Sequence, residues 1–385
     1  MLQQLTPKIL LLLFVLSSVF AFSIYFVYKD KTSQPVPSFN PKEVLVALNQ
    51  NDGVSDFLEI EKIIGEVIKE YGTKAGFELI DEGERQGIIS NDACHGLLHY
   101  VGHVAYTKTP YDYNAILSVV EGTSCLGGYL HGVEAEIVLT SPNVIEEVKN
   151  FCVFQKEHGV NPGACYHGVG HASIELYNYN IPEALSLCDK LHDPSIEDDI
   201  TNCYRGVFSE VSNGITGYDG HTGLGTDPIT IVGLDPKKPY QFCETFDRTY
   251  QASCKSQLTK IATGHRSTLH DQVAVCTDPS TSANSAEICT NIVFGLFSRD
   301  KLSFETTLNL GEEIKELQPQ LQKMAILGVA EGFTSYFQDD VSKDWTNFCN
   351  TLQEQDSTAY CFKVFDLVTR HIQTPWDMRD KILTQ

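Results

Sequence analysis

Positive charge is scarce in this chain. Its 28 Lys and Arg face 50 Asp and Glu, giving a formal net charge of −22. Nucleic-acid backbones and anionic lipid surfaces repel so acidic a body, so no nucleic-acid partner is expected, and cationic partners or metal ions fit better. Motifs with a ready chemical reading are missing too. No Cys-x-x-Cys occurs, which disfavours a set of Cys-ligated zinc sites. Without His-Glu-x-x-His there is no zinc-protease helix. Without Cys-x-x-Cys-His there is no covalent c-type haem, although non-covalent haem with an axial His stays open. Neither Gly-x-x-x-x-Gly-Lys-Ser/Thr nor Gly-x-Ser-x-Gly is present, which removes the phosphate-cradling loop and the nucleophile elbow. Gly168-Val169-Gly170 lies inside a helical pattern and is a weak phosphate signal. Alternation of apolar and polar residues is rare, and the best strand-like run is Ile229-Thr230-Ile231-Val232. An all-α fold is expected.

Methionine is also sparse, with 3 residues, whereas cysteine numbers 12. That usage points away from a reducing cytosol. The 385 residues are 42% hydrophobic, enough for one large domain or two ordinary ones. Residues 9–28, ILLLLFVLSSVFAFSIYFVY, carry no charge. As a helix they would span about 30 Å, the thickness of a bilayer core. Lys8 precedes the run and Lys29 and Lys31 follow it, so flanking charge does not set its orientation. Val19-Phe20-Ala21 resembles a signal-peptidase site, but the apolar run continues beyond it. Residues 1–29 are therefore read as an uncleaved signal-anchor or transmembrane segment, with a cleaved signal as the alternative. Residues 30–42 are polar and contain three prolines, an extended stalk. The body, residues 43–385, is expected outside the cytoplasm, extracellular or periplasmic, tethered to the membrane by the N-terminal helix.

Ten cysteines fall into close pairs: Cys152/Cys165, Cys188/Cys203, Cys243/Cys254, Cys276/Cys289 and Cys349/Cys361, with separations of 11 to 15 residues. Cys94 and Cys125 are left to pair with each other. An amphipathic stretch precedes the first member of a pair, for example Val144 to Phe151. Turn formers follow it, such as Asn161-Pro162-Gly163, Asp193-Pro194-Ser195 or Asp278-Pro279-Ser280. After the second member comes another apolar, Gly-containing helical stretch. This spacing predicts helical hairpins, each bridged from the end of one helix to the start of the next. Closing a loop of that length contributes roughly 3 kcal/mol in the chain-entropy view.

The segments after the second cysteines resemble one another: CHGLLHYVGHVAY, CLGGYLHGVEAEI, CYHGVGHASIEL and CYRGVFSEVSNG, with weaker copies at Cys254, Cys289 and Cys361 and one lacking its Cys from Ala325. His95-Gly96, His131-Gly132 and His167-Gly168 recur every 36 residues, and His-Gly-x-x-His occurs twice, 72 residues apart. That period suits helix pairs stacked into a solenoid-like array.

His95, His99 and His103 share a helical face, as do His167, His171 and Glu175. Glu134 follows His131 by three, and the next copy carries Glu210. Imidazoles and carboxylates on successive stacked helices suit a divalent transition metal, Zn, Fe, Cu or Mn. Glu134, Glu175 or Glu210 would then bridge or act as general base. Core hydrogen-bonding histidines and a pH-sensing cluster are the competing readings.

The Gly-rich stretch 212–239 interrupts the repeat and reads either as a flexible surface insertion or as a lid over the site that would bring His221 or Asp227 to it. The metal centre is thus expected within 94–227. Residues 240–385 carry fewer candidate ligands, with His265, His270 and His371 scattered, and read as scaffold. The expected function is a membrane-anchored, extracytoplasmic, metal-dependent enzyme, hydrolytic or oxidative. The alternatives are a binding scaffold and a metal-capture protein without catalysis.

Overall fold

The computed structural model describes residues 39–42, 44–45, 57–89, 91–119, 124–160, 162–192, 199–216, 228–264, 268–279, 281–300, 304–336, 342–352 and 355–370. The apolar run 9–28, most of the stalk, His221, Asp227, His265 and His371 fall outside them. Among the described residues the regular structure is helical throughout and no strand occurs. Ile229 to Val232 is irregular, with the Ile229 N–H donating to the Gly214 carbonyl at 2.9 Å. No helix among the described residues is long and apolar enough to cross a membrane.

The first hairpin joins α1 (Phe57–Tyr71) to α2 (Thr73–Arg85) at Gly72. Gly72 has a φ of 94°, a conformation that costs other residues strain, and its N–H donates to the Ile68 carbonyl at 3.0 Å. Ile60, Ile64, Val67 and Ile68 recur at helical spacing on α1 and are buried.

From there mostly longer helices, each packed on the next, are interleaved with mostly shorter ones. The long set is α3 (Asn91–Lys108), α5 (Gly128–Thr140), α7 (Pro162–Leu176), α9 (Asp199–Thr216), α11 (Arg248–Thr263), α13 (Ala283–Asp300), α15 (Pro319–Tyr336) and α17 (Gln355–Arg370). Between them lie α4 (Tyr113–Leu117), α6 (Val144–Glu157), α8 (Ile181–Leu191), α10 (Pro239–Cys243), α12 (Leu269–Cys276), α14 (Phe304–Lys315) and α16 (Ser342–Thr351). Each long helix packs on the next, α3 on α5 through to α15 on α17. Pro162 and Pro239 open their helices at a position where no N–H is needed.

All twelve cysteines are paired as the spacing predicts. Their Cα–Cα distances run from 5.3 to 5.7 Å. Five bridges join a short helix to the long helix after it. Cys94–Cys125 instead ties the first turn of α3 to the 3-10 turn Ser124–Gly127 that leads into α5.

Glycine sets how closely the long helices approach. A methyl at Gly132 would collide with the carbonyl oxygen of His99, one at Gly206 with that of His167, and one at Gly328 with that of Asn291. Backbones therefore touch at each of these crossings, and only a residue without Cβ fits there. Buried apolar residues form two clusters, one from Leu45 to Leu258 and one from Leu269 to Val364. In the second, Trp345 is fully buried and its indole N–H donates to the Cys361 carbonyl at 3.2 Å.

Candidate metal centre

α5 is the unusual helix. Every residue from Gly128 to Val138 is buried, so it has no solvent face, yet it carries His131, Glu134 and Glu136. Burying three ionisable groups on one core helix is costly unless neighbours compensate them. α3 and α7 flank α5 on either side and bring histidines to meet His131.

His95 and His99, four apart on α3, turn their Nε2 atoms toward each other at 3.0 Å. His167 and His171 on α7 repeat this at 3.1 Å. His131 stands between the pairs. Its ring centroid is 5.4 Å from His95, 5.5 Å from His99, 5.6 Å from His167 and 5.8 Å from His171. The imidazoles that recur every 36 residues thus converge, as their period predicts. In particular, ligand atoms of His95, His99 and His131 all lie within 4.8 Å of one another.

Outer partners aim the rings. His95 Nδ1–H donates to the Cys125 carbonyl at 2.7 Å, which turns the lone pair of Nε2 toward the cluster. His167 hydrogen-bonds the backbone of Asn202 at the equivalent place, the start of the next long helix. His131 has Ala164 there, a looser contact, since its Nδ1 has no partner within hydrogen-bond geometry. His171 Nδ1–H donates to Glu210 Oε2 at 2.9 Å, and Asn213 also donates to that oxygen at 3.3 Å. Such carboxylate–imidazole pairs typically support metal-ligating histidines.

Burial, then the neighbouring imidazoles, hold His131 well below the usual histidine range. Burial, His171 and the Arg205 guanidinium do the same to His167. Neutral imidazole is the ligating form. Glu134 is pushed well above the usual carboxylate range by burial, only partly opposed by Gln155. Gln155 Nε2 donates to Glu134 Oε1 at 2.8 Å, and Oε2 has no partner. A methyl on Gly168 would strike both that Oε2 and the His131 ring, so the carboxyl and the imidazole lie together against α7.

The remaining predicted residues sit differently. His103 is half-exposed and its Nδ1 meets Glu136 Oε2 at 2.6 Å. Glu175 is exposed at the end of α7. Glu210 accepts a hydrogen bond from His171. His221 lies outside the described residues. Gln155, Glu136 and Arg205 are not singled out by the sequence reading. Arg205 carries a signal nonetheless, since CYRG at Cys203 repeats CYHG at Cys165 with the imidazole replaced.

Two imidazole nitrogens 3.0 Å apart suit a shared first-row ion. At Zn–N distances of about 2.0–2.1 Å the N–metal–N angle would be about 94°, within the range of octahedral or distorted tetrahedral ligation. Comparison with protein-family models, with curated proteins and with solved structures finds no match.

Proposed function

We propose that this chain is a metal-dependent enzyme, hydrolytic or oxidative, built on a solenoid-like stack of disulfide-linked hairpins. Its body works outside the cytoplasm, tethered by the N-terminal apolar helix. The observation that carries the reading is the meeting of His95, His99 and His131, from two helices, with ligand atoms within 4.8 Å. The ion is Zn, Fe, Cu or Mn, the metals that imidazole with nearby carboxylate favours. Glu134 is the candidate general base. A divalent ion beside it would lower its pKa and release a proton-accepting carboxylate. Six disulfides support an oxidising compartment.

A second reading, metal capture without turnover, draws on the burial of the ligands. His99 is 2% exposed, His131 5% and His171 8%, which leaves little room for a substrate. Elemental analysis of the purified chain after reconstitution tests the shared premise. Bound metal that is lost in His99→Ala supports it, and a correctly oxidised chain that takes up no ion overturns it. Turnover of ester, amide or phosphoester substrates, or metal-dependent oxidation, then separates enzyme from capture.

A further inference from the structure

We propose that His167 and His171 hold a second divalent transition-metal ion, making the cluster a two-ion centre with His131 between the ions. This rests on the reading of the cluster as a metal centre and adds a position to it.

The grounds are hydrogen bonds. A neutral imidazole carries one N–H. That of His171 is committed to Glu210 Oε2, 2.9 Å from Nδ1. That of His167 is committed to the Asn202 backbone. Both Nε2 atoms therefore present lone pairs, and they face each other 3.1 Å apart. Two lone pairs at that distance repel unless a cation lies between them. An ion at about 2.0–2.1 Å from each would see them at about 98°. Glu210 supplies the carboxylate that metal-bound imidazoles commonly lean on.

The first pair differs at its second member: His95, like His167, meets a neutral backbone group, whereas among the described residues no carboxylate is seen behind His99 to match Glu210 behind His171. The first position gathers His131 as a third ligand, whereas the second offers two imidazoles with a carboxylate behind one of them. Glu210 contributes a negative charge near His171, and Arg205 a positive one near His167. The second position is then a distinct site with its own affinity. A proton can occupy the same gap, so the experiment must separate proton from metal.

Chelator-stripped, oxidised full-length chain is titrated with Zn²⁺ by calorimetry, and the bound zinc is counted by elemental analysis. Two equivalents are expected, with one left in the His167→Ala/His171→Ala variant. Glu210→Gln, which keeps the side-chain shape, should weaken one of the two ions about ten-fold and spare the other. It also serves if the double variant does not fold. One equivalent in the wild-type chain overturns the proposal, with a proton then filling the second gap. So does a folded double variant that keeps two equivalents or loses both, or a Glu210→Gln chain with unchanged affinities. Zero equivalents in the wild-type chain would instead remove the metal reading as a whole.

Discussion

The crossing of α7 with α9 and the crossing of α13 with α15 share one packing device but carry different polar groups. In the first, Gly206 sits on the carbonyl of His167; in the second, Gly328 sits on the carbonyl of Asn291. The residue four further on is His171 in one helix and Gly295 in the other. Opposite them, Glu210 accepts from His171 at 2.9 Å, while Glu331 accepts from Asn291 Nδ2 at 3.2 Å. The backbone approach therefore needs the glycine and not the imidazole. In the C-terminal half a helix pair of this kind carries an Asn–Glu hydrogen bond at its buried crossing instead. Histidine is thus not required for a helix approach of this kind.

The sharpest way to break this comparison is to truncate the polar residue on each side. His131→Ala should abolish tight metal binding, weakening the dissociation constant by more than about 100-fold, while the chain remains folded. Asn291→Ala should leave metal uptake unchanged and lower unfolding free energy by roughly 1–3 kcal/mol, the cost of stranding a buried acceptor. Equal loss of metal in both variants, read by elemental analysis, would mean the halves are not functionally distinct.

The glycines sharpen the comparison further. A methyl at Gly206 or at Gly328 meets a carbonyl oxygen that cannot move without shifting a helix. Each substitution to Ala should cost roughly 3 kcal/mol in urea unfolding. At Gly295 the nearest atom to an added methyl is the Gly328 carbonyl at 3.2 Å, so Gly295→Ala should cost under about 1 kcal/mol. Only Gly206→Ala should also weaken metal binding.

Much of this architecture is legible in the amino-acid sequence. Cysteine spacing predicts five bridges, because a hairpin with a short turn leaves few other partners within reach, and the sixth follows by elimination. The 36-residue period of His-Gly predicts the meeting of α3, α5 and α7. What is not legible depends on rotation about helix axes and on side-chain reach. Glu175 shares the register of His171 but lies one turn too far along and ends exposed. His103 continues the face of His95 and His99, yet meets Glu136. Gln155 comes from α6, outside the repeat, and no periodicity marks it as the partner of Glu134.

pH separates the groups of the N-terminal half from one another. His131 and His167 are held neutral, so the unfolded chain binds more protons than the native one below about pH 6.5. Stability of the metal-free protein should therefore fall on acidification through that window. Glu134 has the opposite sign. Its raised pKa means the native state holds a proton that the unfolded chain has lost, so its contribution declines as pH rises above about 4.5. Glu134→Gln imitates the protonated acid. The stability gap between variant and wild type should widen with pH by at most about 1.4 kcal/mol per unit. Parallel urea-unfolding curves from pH 5 to 8 would show that Glu134 ionises freely in the folded chain.

The smallest effect is expected at Arg205, and its direction is what matters. This residue replaces the histidine of the repeat at the edge of the cluster, is 9% exposed, and places a fixed positive charge near His167. If it were a structural partner of the imidazoles, removing it would loosen them and weaken metal binding. If ions occupy the cluster, the charge opposes them, and Arg205→Met should tighten Zn²⁺ binding. The expected readout is a several-fold lower Kd, reduced from the bare Coulomb repulsion by solvent and protein relaxation. The gain should shrink in high salt far less than for an exposed charge, because the group is shielded from solvent ions. A Kd that rises in Arg205→Met would place the guanidinium among the groups that build the cluster rather than among those that restrain its charge.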